Sequence, residues 1–289
     1  VNIPDAHLKV VESGRTLHTA LVVLGEIAHA TPELSSTITH IELNPWWNAP
    51  TSIVKRILIP KFRTEPTYIG ENDYVLLARA GDNKSAVDPV KIDWEKITVA
   101  NFRWSVRQKP GPKNVLGRVV FWFPSKHNVF IHDTAAPELF EDDVRYFSSG
   151  CIRVDSAVYM AMLLLRNQDD GSWTEEKINS IIAANEPYKI AFKQPVNVHI
   201  TYFTVVVNDE GKVETFRDVY GHERRIALAL EGKWHQIAKG RDHLAPVELD
   251  LSKAERTRGS DDEAFEGFGS KKKKSPTDEF FGSVFGGFF

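Results

Sequence analysis

Alternating apolar and polar positions dominate the first part of the chain. Residues 1–11 and 16–24 both read as strands, and Glu12-Ser13-Gly14-Arg15 between them reads as a hairpin turn. Residues 38–43 alternate in the same way. They lead into Asn44-Pro45-Trp46-Trp47-Asn48-Ala49-Pro50, whose prolines and tryptophans predict a stiff aromatic loop. Residues 115–123 and 128–132 predict two more strands, split by Pro124-Ser125-Lys126-His127, and residues 198–207 and 212–218 predict a hairpin across Asn208-Asp209-Glu210-Gly211. Helical spacing is rarer. Residues 155–166 place Val158, Met162 and Leu165 on one face, with Asp155 as the expected N-cap. Residues 174–185 open on Thr174-Glu175-Glu176-Lys177, close to a capping box, and residues 224–230 predict a third helix. Many strands with few helices predict a mainly β or α+β domain of packed sheets.

Two stretches break this pattern. Residues 63–109 are polar and turn-rich, with Gly81-Asp82-Asn83, Asp88-Pro89 and a Pro110-Gly111-Pro112 exit. A segment that long between strand-rich halves predicts an inserted subdomain with structure of its own, or a mobile lid. Residues 233–260 are polar and mixed, and residues 261–289 are low-complexity. The latter carry Asp261-Asp262-Glu263, Lys271 to Lys274 and a Phe/Gly-rich end, Phe280-Phe281-Gly282 to Phe288-Phe289. The expectation for 233–289 is a polar, disordered tail, or a docking segment whose aromatic end enters a partner or a lipid surface.

Composition narrows the class. The 289 residues are 42 % hydrophobic and 26 % charged, ordinary for a globular chain long enough to bury a real core. The formal net charge is −3, which gives no reason to expect nucleic acid as a partner. The most apolar run, 157–165, is shorter than the roughly 20 residues of a membrane-spanning helix, so no transmembrane segment is expected. No signal peptide is visible, and a start at Val1-Asn2-Ile3-Pro4 without Met leads us to expect a processed or truncated product. The single cysteine excludes an internal disulfide and lacks the partners of a zinc site. No His-x3-His or His-Glu-x-x-His spacing occurs, so neither metal nor cofactor is expected.

That cysteine sits where a nucleophile could. The text runs Asn128-Val129-Phe130-Ile131-His132-Asp133, then Phe147-Ser148-Ser149-Gly150-Cys151-Ile152-Arg153. His132 ends an apolar strand, which holds it rigidly enough to act as a base. Gly150 allows a tight turn, and the N–H groups of Ser149, Gly150 and Cys151 could face a developing oxyanion. A helix starting a few residues after Cys151 would favour the thiolate, as would Arg153. The competing reading is a small buried thiol with no chemistry.

His132 followed 19 positions later by Cys151, in a Ser-x-Gly-Cys-hydrophobic-Arg context, resembles the catalytic motif of the L,D-transpeptidase (YkuD) family. Val1 to Pro4, Thr31-Pro32, the run from Asn44 to Ile53, and Pro110 to Gly117 resemble the long periplasmic, YcbB-type subclass of that family. The resemblance spans about residues 1–232, with 63–109 in the place of that subclass's capping lid. It implies the YkuD-like fold and a cysteine acyltransferase. Cys151 would attack the bond between the third residue and the terminal D-alanine of a peptidoglycan tetrapeptide stem, form a thioester, and pass the acyl group to an amine of another stem as a 3–3 crosslink. It further implies His132 as base, Ser149, Gly150, Arg153 and Asp133 as oxyanion-hole or supporting residues, and Trp46, Trp47 and Tyr146 as substrate contacts. The location it implies is the Gram-negative periplasm, and carbapenems would acylate the thiol.

One departure is Ser149, which stands where the common motif has His, so a second histidine is not expected in the site. Other acceptors stay open: a lysine or N-terminal amine of an outer-membrane protein, or water, as in an L,D-carboxypeptidase. So does a non-catalytic wall-binding module. A papain-like protease fits less well, because there Cys precedes His along the chain.

Overall fold

The computed structural model describes residues 1–78, 85–168, 172–208 and 210–237. The expected tail from residue 238 onward lies outside them; residues 234–236 form a single 3-10 turn. The described residues fall into two compact units, one made of residues 1–45, 116–134 and those from 145 onward, the other of 46–115 and 135–144. The described chain is mostly β with few helices, as the alternating pattern predicts.

The first unit is built on an eight-stranded sheet. Its strands run in the order His7–Glu12, Arg15–Gly25, Ile152–Val154, Ile131–His132, Val119–Trp122, Leu34–Leu43 and Tyr188–Ile200, and Tyr146–Ser148 also pairs with Arg15–Gly25. The first hairpin turns at Ser13 and Gly14, with φ of 50° and 78°, the left-handed pair that matches the twist of a tight hairpin. One face of the sheet carries the core of this unit. Leu24, Ile41, Leu43, Phe121, Ile131 and Ile152 are fully buried there. The Ala157–Leu165 helix belongs to the same core.

Several elements differ from the local pattern. The helix starts at Ala157 after Ser156, not at Asp155, and its buried stripe is Ala157, Met160, Ala161, Leu164 and Leu165, while Val158 and Met162 are only half-buried. Nearly every position of that helix is apolar, so periodicity could not say which stripe faces inward. The Glu175–Ala184 helix does use Thr174, whose Oγ1 accepts from the Lys177 N–H at 3.3 Å. The strand expected over 198–207 is two elements, the long Tyr188–Ile200 and the short Val205–Val207. Pro195 disguises the first of these. The register with Leu34–Leu43 shifts between Ala191 and Val196, which admits a residue that cannot donate to the ladder. The strand expected over 115–123 begins only at Val119, because Gly117 turns the chain at φ 63°.

That turn positions the site. A Cβ on Gly117 would lie 2.5 Å from Cβ and Cγ of Asp133. The bare glycine lets the Asp133 carboxylate accept the Arg118 N–H at 2.7 Å, tying the entry of one strand to the residue after His132. Gly117→Ala therefore meets both a left-handed backbone and an overpacked contact. We expect a loss of about 2–4 kcal/mol in urea unfolding, from the sum of the two penalties; a change below about 1 kcal/mol would show that Asp133 can move away freely.

The second unit has its own four-stranded sheet, in the order Trp47–Asn48, Trp104–Gln108, Tyr74–Ala78 and Ala86–Val87. Its core is aromatic: Phe62 meets Tyr74 and Trp94 edge-on, both at 5.6 Å between ring centroids. It takes in more chain than the expected 63–109. The helical stretch from Thr51 to Thr64 and the 46–50 aromatic loop belong to it.

Candidate active site

Cys151 and His132 are brought onto neighbouring strands by the sheet. Ile131–His132 and Ile152–Val154 run parallel, with Ile152 opposite Ile131 and Arg153 opposite His132. The Ile152 N–H donates to the Phe130 carbonyl at 3.1 Å, which continues the pairing to Phe130 and Cys151. Side chains alternate across a sheet. Because Ile131 and Ile152 point into the core, Phe130, His132, Cys151 and Arg153 share the opposite face. The segment separating His132 from Cys151 in sequence thus returns the thiol one strand away.

His132 is 4 % exposed. Its Nδ1 meets the Asp133 carbonyl at 2.5 Å, and the Leu116 carbonyl is a second backbone partner. A carbonyl can only accept, so Nδ1 carries the proton and Nε2 keeps its lone pair, the arrangement a general base needs. The Phe130 ring lies 5.8 Å from the imidazole and the Trp122 ring 4.9 Å from Phe130, so aromatic rings flank the buried base. Burial first, and the Arg153 charge second, push the imidazole down to about 3. Burial pushes the Cys151 thiol up, against smaller opposing pulls from the Phe130 backbone and Arg153. At neutral pH the pair rests as thiol and neutral imidazole.

The expected helix at the thiol is displaced. Ile152–Val154 is a strand, Asp155-Ser156 is a turn, and the helix starts only at Ala157. A helix dipole acts within about a turn of its own end, and Cys151 precedes Ala157 by six residues, outside that first turn.

The turn before the nucleophile is held by side chains. Ser148 Oγ donates to the Cys151 carbonyl at 2.6 Å and accepts from the Gly150 N–H at 3.1 Å. Gly150 has φ 107°, a conformation that favours glycine. The Gly150 N–H is therefore already engaged, whereas among the described residues the Cys151 N–H has no acceptor. Ser149 is exposed. The Asp133 carboxylate is directed at Arg118, so it is the carbonyl of Asp133, not its side chain, that touches His132.

Tyr146 donates its hydroxyl to the Ile3 carbonyl at 2.8 Å. Trp46 and Trp47 belong to the second unit; Arg107 lies 4.5 Å over the Trp46 ring, and Trp47 is buried. Around the turn stand Ser148 and Thr31, which the sequence motifs contain without a role, and Tyr220, which no motif contains. Ser148 is the first residue of the quoted Ser-x-Gly-Cys motif, whereas Tyr220 lies 69 positions from Cys151 and carries no local signal. No group of three His, Cys, Asp or Glu that could hold a metal occurs among the described residues.

With this geometry in place, comparison with known proteins identifies the class. Residues 1–169 match the YkuD L,D-transpeptidase catalytic domain, and the chain belongs to that family. It is also 33 % identical over 239 residues to a Haemophilus influenzae protein named provisionally as an L,D-transpeptidase, a match covering 83 % of this chain and 47 % of the relative. The chain thus spans about half the length of that relative. Among the described residues no helix is long and apolar enough to cross a membrane.

Proposed function

We propose that this domain is a peptidoglycan L,D-transpeptidase working through a Cys151 thioester and forming 3–3 crosslinks. The observation that carries the reading is the placement of Cys151 and His132 on one face of paired strands, with the Nδ1 proton of the imidazole committed to the Asp133 carbonyl. In the first half-reaction Sγ attacks the carbonyl carbon between the third and fourth stem residues, and its proton passes to His132 Nε2. The Cys151 N–H donates to the oxyanion, and the Gly150 N–H can join only by leaving Ser148. The C–N bond then breaks, His132 returns the proton to the departing D-alanine amine, and a thioester remains. In the second half-reaction an acceptor amine attacks the thioester, His132 takes its proton, and the thiol is regenerated. Arg153 favours the anions that form along this path.

The finer reading places the chain in the YcbB-type subclass, with the inserted segment (63–109 by sequence) as its cap and the periplasm as its compartment. The aromatic run from Asn44 to Ile53 and the separate second unit support it. The test is to incubate the protein with disaccharide-tetrapeptide and follow both protein mass and products. The expected result is an acyl adduct on Cys151, release of D-alanine and accumulation of 3–3 dimers. Tripeptide without dimers would point to water as acceptor. Dimers absent, but stem attached to an outer-membrane protein when one is supplied, would point to protein attachment, and no adduct at all would remove the proposal.

A further inference from the structure

The Ser148–Cys151 turn contains a left-handed glycine and is clamped from a distant part of the chain. Thr31 is 2 % exposed. Its Oγ1 accepts from the Gly25 N–H at 2.8 Å and donates to the Gly150 carbonyl at 3.1 Å. Thr31 is itself held by Tyr220, whose hydroxyl donates to the Gly25 carbonyl at 2.6 Å and accepts from the Thr31 N–H at 3.2 Å. Behind it, the Tyr202 hydroxyl accepts from the Tyr220 N–H at 2.8 Å and donates to Asp218 at 2.6 Å. The Tyr202 and Tyr220 rings stack at 5.9 Å. Nothing in the mechanism above uses these groups, yet the chain of bonds ends on the peptide that carries the candidate oxyanion donor.

That peptide is planar and trans, so its carbonyl and its N–H point in opposite directions. Fixing the Gly150 carbonyl on Thr31 therefore fixes the direction of the Cys151 N–H. On the other side Ser148 Oγ holds the Cys151 carbonyl, so the peptide units on both sides of the nucleophile are pinned. A glycine at φ 107° has no side chain to restrict it and cannot supply this rigidity alone. Resting on the acyltransferase reading, we propose that Thr31 and Tyr220 are positioning residues that aim the Cys151 N–H at the oxyanion. Burial keeps the Tyr220 phenol protonated, at about 12, so the clamp persists across the working range.

The test compares two reactions of the same sulfur. Acylation by a tetrapeptide stem develops an oxyanion; alkylation by iodoacetamide does not. Thr31→Val is expected to slow single-turnover thioester formation, read by intact mass, by about 10²-fold, the size of losing one aligned oxyanion donor. Tyr220→Phe, which acts through Thr31, slows it by a smaller factor. Iodoacetamide alkylation of Cys151 stays close to the wild-type rate in both, and Thr31→Ser, which keeps the hydroxyl, recovers thioester formation. Equal losses in both reactions overturn the proposal, because the turn has then merely collapsed. A Thr31→Ser protein as slow as Thr31→Val overturns it as well, and an unchanged thioester rate in either variant removes that residue from the clamp. These failures leave the acyltransferase reading standing as long as wild type forms the thioester; a wild type that alkylates but never acylates sinks both.

Discussion

Cys151→Ala is expected to abolish acyl-enzyme formation and to lower crosslink formation by at least about 10⁴-fold, the scale seen when a covalent nucleophile is removed. The reason is chemical. No second thiol exists in the chain, and Ala offers no atom to carry the acyl group. Folding should change little, because Cys151 is only half-buried and Ile152 and Val154 fill the core beside it. The check is intact mass and product analysis beside a thermal melt of the same protein. If the Ala variant retains dimer formation, the thioester route is wrong even though the family assignment stands.

His132→Gln is expected to slow thioester formation about 10³-fold at neutral pH, within the usual range for a positioned general base. Gln is chosen because its amide can still donate to the backbone carbonyls that hold the imidazole. The pH dependence carries the finer argument. His132 is pushed far below its ordinary value of about 6.5, so it remains neutral and able to accept a proton from neutral pH down to mildly acid conditions. The wild-type kcat/KM for acylation should therefore show no fall between about pH 7 and 5, losing rate only as the pH approaches the lowered imidazole value. In His132→Gln no base takes the thiol proton, and Cys151 is raised, so the rate should climb with hydroxide through neutral pH and beyond. A wild-type acid limb near about 6.5 would mean a solvated imidazole, and a flat profile in the Gln variant would mean that another group serves as base.

A preformed thiolate–imidazolium pair is not what this surrounding favours. Desolvation penalises both charged forms, and the nearby Arg153 penalises imidazolium further. Proton transfer is then tied to the attack itself, when charge passes to the substrate oxygen and a directed N–H counts most. The alignment of the Cys151 N–H and the neutrality of His132 are two sides of one design.

Local pattern carried much of the fold. The strands predicted over 1–11 and 16–24, with a turn between them, are observed as a hairpin of His7–Glu12 and Arg15–Gly25, and Thr174 caps its helix as its side chain and spacing predict. Short pairings were less visible. Tyr146–Ser148 and Ile152–Val154 are three residues each, too brief for a period to register, and they are strands only because Arg15–Gly25 and Ile131–His132 offer edges. Reading a helix close behind Cys151 followed from missing them. Residues 63–109 look polar in sequence because their apolar content is concentrated in a few aromatic rings rather than spread in a repeating pattern.

Residue type and spacing were enough to single out His132 and Cys151 and to attach them to a family, since a thiol, an imidazole and the glycine between them are legible in any conformation. Protonation, direction and support belong to the folded chain. Burial makes the imidazole neutral, Ser148 engages the Gly150 N–H, and Thr31, held in turn by Tyr220, reaches the Gly150 peptide from 119 positions away. Desolvation and long-range hydrogen bonds depend on which groups become neighbours in space, and the order of residues along the chain does not record it.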